Sequence, residues 1–252
     1  MKISPDRLDA AAEVINRLPG VSHNYARNHD YNLWFTLTTP PGVSAQNEAR
    51  KLSVEAGAEA VLFLPTIRLF KIGVAFDMTG DAPEPAPTPA ASAGRELSAE
   101  DVAAVRALQE DLPLQERPFK ALAELSAMSE DQLLRQAESL LKRGVMRRFA
   151  ATLRHHEAGF VANAMGVWVV PQNRADEVGR MMARFEAVSH CYQRPAYPDW
   201  PYSIFTMIHG RSTQECERVA ASISQATGIT DYRLLYTTKE YKKKRVKYFT
   251  EA

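Results

Sequence analysis

VSHCYQRPAYPDWPYSIFTMIH, residues 188–209, is the stretch on which the fold turns, because a shorter copy, VSHNYARNHDYNLWFTLT, occupies residues 21–38. Both copies read V-S-H-x-Y-x-R and continue, after a turn, with a Tyr-polar-aliphatic-aromatic run. That run is Tyr31, Asn32, Leu33, Trp34 in one copy and Tyr202, Ser203, Ile204, Phe205 in the other. A strand sends alternate side chains to opposite faces. His190, Tyr192 and Arg194 therefore share a face, with Ser189, Cys191 and Gln193 opposite, and His23, Tyr25 and Arg27 repeat the arrangement. For one copy alone, a half-exposed strand with a polar face is a sufficient account. Two copies of an imidazole, a phenol and a guanidinium in line point instead to a site that holds a polyanionic ligand and moves protons on it.

Working outward from the first copy, Leu8, Ala11, Ala12, Ile15 and Leu18 recur at helical spacing until Pro19-Gly20 stops the pattern just before the first His-Tyr-Arg strand. A turn at Asn28 to Asp30 leads to a second strand through Leu37. Residues 40–42, PPG, break it, residues 44–57 read as a helix, and AVLFLPTIRLFKIGVAF reads as a closing strand that ends near Met78. Residues 80–94, GDAPEPAPTPAASAG, form a Pro/Ala linker with no means of building a core.

Beyond the linker, Ser98 with Asp101 and Ser129 with Gln132 are capping signatures for the first and third of three short helices, the second running from Pro118 to Leu125. With the following VMRRFAATL strand this is a winged helix-turn-helix pattern. The strand continues to His155, ANAMGVWVV makes another, and Arg174 to Phe185 is a helix leading into the second His-Tyr-Arg strand. A helix over residues 213–226 and a strand over 230–236 complete a β-α-β-β-α-β, ferredoxin-like order. The expected class is α+β. Its domains are a partial ferredoxin-like unit at 1–78, a linker at 79–96, a winged helix-turn-helix at 97–144 and a complete ferredoxin-like unit at 145–252. The first unit lacks a helix-turn-helix and its first two strands, so either its start is absent from this sequence or a partner supplies those strands.

The 252 residues, 45% hydrophobic and 24% charged with a net charge of +1, are an ordinary globular composition. No apolar run approaches a membrane span and the first residues contain no signal-peptide core, so the expected location is the cytoplasm. Cys191 and Cys216 have neither metal-ligand nor redox spacing and read as reduced thiols. Near-neutral charge argues against a protein devoted to nucleic acid. The strongest charge cluster is Lys239, Lys242, Lys243, Lys244, Arg245 and Lys247. Such a run is usually a solvated tail, or else a lure for an anionic ligand.

A winged helix-turn-helix joined to this ferredoxin-like order resembles the Lrp/AsnC family of amino-acid-responsive transcription regulators. Several long strings resemble the siroheme decarboxylases more closely: RRFAATLRHHEAGF, VSHCYQR, WPYSIFTMIHG, YRLLYTTKEYKKKRVKYF, VSHNYARNHDYNLWFTL and LPTIRLFKIGVAFDM. That resemblance implies a carbon-carbon lyase that removes carboxyl groups from two acetate side chains of siroheme, giving 12,18-didecarboxysiroheme on the way to haem or d1-type haem. It implies two such subunits, separate or fused, and so a homodimer or a heterodimer with a related decarboxylase subunit. The chain looks like a fusion whose first subunit lacks its start.

Siroheme is a flat iron tetrapyrrole ringed by acetates and propionates. Its pocket needs cations for carboxylates, apolar walls and a proton donor near the departing carboxylate. The candidates are His190, Tyr192, Arg194, His155 and His156 for chemistry, and Arg147, Arg148, Arg154, Tyr202, Trp200, His23, Tyr25 and Arg27 for binding. His is the natural acid near neutral pH. No organic cofactor is called for, because the macrocycle itself delocalises developing charge. Each group also has a plainer reading. Arg147 and Arg148 point to opposite faces of a strand, as do His155 and His156. Tyr192 and Tyr202 are equally packing aromatics, and Trp200 is a lid or a turn anchor. The His pair has no Cys or carboxylate at metal-binding spacing, so no metal site is expected beyond the substrate's own iron, which a His can ligate.

The rival function is an Lrp/AsnC-type DNA-binding regulator, whose third helix would present Gln132, Arg135 and Gln136 to bases; a third reading is a tetrapyrrole-responsive regulator or carrier that binds the macrocycle without turning it over. Glu130, Asp131 and Glu138 on the same helix repel phosphates, which argues for an enzyme that keeps the helix-turn-helix as a structural module.

Overall fold

The computed structural model describes residues 1–73, 96–146, 149 and 162–249. The linker, the strand expected after the third helix, and Arg147, Arg148, Arg154, His155 and His156 therefore lie outside the described residues. In chain order the elements are α1 (Leu8–Asn16), β1 (Val21–Arg27), β2 (Leu33–Leu37), α2 (Ala45–Glu55), β3 (Arg68–Ile72), α3 (Ala99–Leu108), α4 (Pro118–Leu125) and α5 (Glu130–Lys142). They continue with β4 (Ala162–Trp168), α6 (Ala175–Ala183), β5 (Val188–Gln193), β6 (Ile204–Gly210), α7 (Thr213–Thr227) and β7 (Tyr232–Lys243). The α+β class and the duplicated ferredoxin-like pattern are as read from the sequence. The chain forms two compact units, residues 1–85 with 153–244 and residues 86–152 with 245–252.

In the first unit the seven strands of the described residues lie in one sheet, ordered β2-β1-β7-β4-β6-β5-β3. The segment β7-β4-β6-β5 is the ferredoxin-like order of the second repeat, and β1-β2 is the matching hairpin of the first. Each repeat gives its last strand to the other. β3 lies antiparallel on β5, while β7 pairs through Tyr232–Tyr236 with β4 and through Thr237–Lys243 with β1. The repeats thus share one hydrogen-bonded sheet.

Helices cover one face of this sheet. Ser44 and Ser212 cap α2 and α7 by accepting from the backbone N–H three residues on. Gly228 closes α7 in the left-handed conformation, φ 70°, that glycine adopts without steric cost. Ala11, Ala12 and Ile15 of α1 pack with Val21, Leu33 and Leu52. In the second repeat, Val178 and Met182 of α6 and Ala220 and Ile223 of α7 pack on Ala164, Trp168, Ile204 and Ile208. The opposite face has its own core of Val167, Leu235, Phe205, Tyr31, Tyr202 and Trp200.

Two strands differ from expectation in extent. Among the described residues the closing strand of the first repeat runs Arg68–Ile72, and residues 61–66 pair with no strand; the expected end near Met78 lies outside them. The matching stretch of the second repeat, Tyr232–Tyr236, lies on β4. The first repeat offers at that position only Met1–Ile3. There Lys2 N–H donates to Ala60 O at 2.9 Å and Leu33 N–H donates to Met1 O at 3.1 Å. Without a neighbouring ladder, a strand-like sequence has nothing to pair with. β7, in turn, runs seven residues past the expected Tyr236, because β1 supplies a second edge to pair with. The basic run is accordingly not a solvated tail in its first half. Lys239 pairs with Asp9, and Lys242 Nζ donates to the carbonyls of Asn16 and Leu18 at the end of α1.

The second unit is the three-helix body. Capping boxes Ser98–Asp101 and Ser129–Gln132 start α3 and α5 as read from the sequence. Ala104, Leu108, Leu122, Leu133 and Leu140 form its core. Asp101 does more than cap. Buried at 2% exposure, it accepts from Gln136 and from both terminal nitrogens of Arg143, and those hydrogen bonds hold its carboxyl down to about 2. Residues 245–249 pack on α3: Lys247 pairs with Glu110, and Tyr248 and Gln109 exchange hydrogen bonds.

Candidate active site

The two V-S-H-x-Y-x-R strands are β1 and β5, and each carries an irregularity just after its valine. Register shifts occur between Val21 and Asn24 against β2 and between Val188 and His190 against β6. A bulge places two consecutive residues where one would stand, so alternation fails locally. Val188 and Cys191 both turn to the helical side, where the Cys191 thiol rests on Gly179 O and burial pushes it up to about 12. Asn24 likewise donates to Ala12 O of α1. The expectation that Ser189 opposes His190 is thereby corrected. Ser189 Oγ lies 2.8 Å from His190 Nδ1 and 2.7 Å from His209 Nε2. In the first repeat, Ser22 Oγ lies 2.9 Å from His23 Nδ1 and 2.6 Å from Thr36 Oγ1.

Beyond the bulge, His, Tyr and Arg do line up as the alternation requires. His190 and Tyr192 stack with centroids 6.0 Å apart, and Arg194 Cζ lies 5.1 Å from the Tyr192 ring and 5.6 Å from Phe205. His23 and Tyr25 are also 6.0 Å apart, with Arg27 Cζ 5.8 Å from Tyr25 and 6.0 Å from Trp34. Arg27 Nη1 donates to Leu235 O at 3.1 Å, and Arg194 Nη1 donates to Leu64 O, the matching carbonyl of the other repeat. The repeats therefore present two like strips.

The charge state of these strips is unusual. Arg27 is 7% exposed, and among the described residues its Nε has no partner and its contacts are a carbonyl and two aromatic rings, with no carboxylate. Burial lowers its guanidinium to about 10 and lowers Arg194 as well. Burial and the neighbouring Lys243 ammonium lower His23, while burial and Glu240 raise Tyr25 to about 12. A buried cation held by carbonyls and ring faces gains most from an arriving carboxylate, which supplies charge-assisted, often bidentate hydrogen bonds.

Trp200 and Tyr202, named as candidate ligand contacts, belong to the core that also holds Val167, Leu235 and Phe205. Trp200 is fully buried, with its ring against His29, Tyr31, Trp34, Tyr202 and Phe205 at 4.9–6.3 Å, which fits its turn-anchor reading. Tyr31, whose hydroxyl hydrogen-bonds Asp199, ties the first repeat to that turn. The serines, His209 and Thr36 were missed because strict alternation hides a bulged residue. The repeated Ser of V-S-H was the available signal.

Residues 1–71 and 157–242 match the model of the AsnC-like ligand binding domain, and residues 101–147 match the siroheme decarboxylase NirDL-like HTH domain. The chain is 42% identical over 251 residues to a siroheme decarboxylase of Hydrogenobacter thermophilus, spanning 99% of this chain and 75% of that protein. A siroheme decarboxylase beta subunit of Methanosarcina barkeri is 45% identical over 147 residues, 58% of this chain and 97% of the subunit. The crystal structure of the siroheme decarboxylase NirDL superposes with a TM-score of 0.73 at 38% identity, over 99% of this chain and 72% of that one. A crystal structure of the siroheme decarboxylase NirDL in co-complex with an iron-uroporphyrin III analogue superposes with a TM-score of 0.71 at 36% identity, over 99% of this chain and 72% of that one. Fold and strips together define a class, a duplicated AsnC-like ligand-binding unit with a helix-turn-helix module. Within that class the chain belongs to the siroheme decarboxylase family.

Proposed function

We propose that the chain is a carbon-carbon lyase that decarboxylates siroheme, removing carboxyl groups from two acetate side chains to give 12,18-didecarboxysiroheme for haem or d1-type haem formation. The carrying observation is the pair of guanidiniums, Arg27 and Arg194, with no carboxylate partner among the described residues, each in line with a Tyr and a His on matching strands. Siroheme's ring of carboxylates calls for several fixed cations. In each step the C–C bond breaks, carbon dioxide leaves, and the electron pair stays on a methylene carbon conjugated with the macrocycle. A proton from His190 makes it a methyl group. No oxidant, reductant or organic cofactor enters this balance. The iron belongs to the substrate. Arg27 and Arg194 hold carboxylates that stay, Tyr25, raised by burial to about 12, remains a protonated donor, Tyr192 offers a second phenol, and assembly with a second copy or a related subunit completes the enzyme.

The regulator reading is weakened by what α5 does with its polar side chains. Gln132 accepts from Ser129 N–H and Gln136 donates to Asp101, so two of three candidate base readers are already used inside the module. Anaerobic incubation with siroheme, followed by mass analysis, tests the proposal. Loss of two carbon dioxide units is expected. Bound but unchanged tetrapyrrole, both alone and with a related decarboxylase subunit added, would overturn the enzyme reading, and a specific DNA shift without tetrapyrrole binding would establish the regulator.

A further inference from the structure

The two strips match in His, Tyr and Arg but differ behind the histidine. In the first repeat His23 meets Ser22, and Ser22 meets Thr36, a hydroxyl with no proton to titrate near neutral pH. The register neighbour of His23 on β7 is Lys243. In the second repeat His190 meets Ser189, and Ser189 meets His209 Nε2 at 2.7 Å. The register neighbour of His190 on β3 is the apolar Ile72. One strip thus adds a second fixed cation beside its histidine. The other connects its histidine, through one hydroxyl, to a second imidazole.

We propose that Ser189 and His209 form a proton relay behind His190, so that the second repeat delivers protons while the first only anchors carboxylates. This rests on the decarboxylase reading for its chemistry and on the Ser189 geometry for its path. A serine hydroxyl has one proton to give and lone pairs to accept with, so between two imidazole nitrogens it donates to one as it accepts from the other. With His209 Nε2–H donating to Ser189 and Ser189 donating to His190 Nδ1, His190 is held as the tautomer whose proton sits on Nε2, away from the relay. When that proton passes to the methylene carbanion, Ser189 hands its proton to His190 Nδ1 and takes one from His209. His209 starts as imidazolium, ends neutral, and must be reprotonated before the next proton is passed. The net transfer is one proton from His209 to carbon. His190 is the catalytic acid, and Ser189 and His209 are positioning and supply residues.

The test compares His209→Phe, Ser189→Ala and the double variant with the wild type. Each single variant should lower kcat by about 10- to 100-fold, as for loss of an outer hydrogen-bond partner, with KM little changed. The double variant should be no slower than the worse single, because both remove one path. Ser189→Thr, which keeps the hydroxyl, should restore most of the rate. Additive losses, a KM effect alone, or Ser189→Thr as slow as Ser189→Ala would overturn the relay. Nitrogen-15 shifts of the His190 ring give a readout independent of turnover. The wild type should show the Nε2–H tautomer and Ser189→Ala a mixture. A wild-type His190 carrying its proton on Nδ1 would sink the relay even if siroheme is decarboxylated. The expected tautomer without any loss of carbon dioxide would instead remove the decarboxylase reading.

Discussion

At the scale of single residues, the buried arginines carry the strongest prediction. A charge-assisted hydrogen bond contributes about 1.5–3 kcal/mol, so Arg27→Gln or Arg194→Gln should weaken siroheme binding by roughly 10- to 150-fold. Absorbance titration under anaerobic conditions measures this directly. Because neither guanidinium pairs with a carboxylate among the described residues, removing the charge should leave the thermal midpoint of the unliganded protein level or raise it. Weakened binding accompanied by a large loss of stability would assign these groups to the fold instead. The chemistry of the strips was legible in the sequence, since His23, Tyr25 and Arg27 repeat as His190, Tyr192 and Arg194. The company they keep was not: Leu235 of β7 and Leu64, in the stretch before β3, reach them from far along the chain.

At the scale of elements, β3 is short and depends on what it rests against. Its Phe70 ring lies over Gly179 of α6, in the space a Cβ there would enter. Gly179→Ala should therefore displace the ring and destabilise the unit by about 1–3 kcal/mol, despite the better helix propensity of alanine. Adding Phe70→Leu should recover part of that loss in denaturant melts, and no recovery would place the clash elsewhere. In the three-helix body, Asp101→Asn removes the charge that Arg143 and Gln136 converge on, at a cost of about 1–3 kcal/mol. Hydrogen-exchange protection of α3 and α5 reports it. The pH sign follows from the lowered carboxyl, about 2 against an ordinary 3.8. The stabilisation is fully present above about pH 4 and fades as pH falls toward 2. The asparagine variant should lack that dependence. Both capping boxes were readable as S-x-x-D and S-x-x-Q; the pairing of Asp101 with a helix some forty residues on was not.

At the scale of the molecule, the exchanged strands make the two repeats one cooperative body. β1 of the first repeat depends on β7 of the second, and β5 of the second on β3 of the first. Hydrogen exchange in denaturant should show β1 and β5 losing protection at the same midpoint. Separate midpoints would mean that the repeats hold themselves independently. The duplication, the helix caps, the helix-turn-helix and the chemical character of the strips were determined by sequence alone, because they depend on residue type and on spacings of a few positions. Tertiary structure decided where β3 and β7 pair, which face Ser22 and Ser189 take, that His209 stands behind His190, and that Trp200 is core. Each of these depends on a neighbour far along the chain, and local periodicity carries no record of which strand will supply the missing hydrogen bonds.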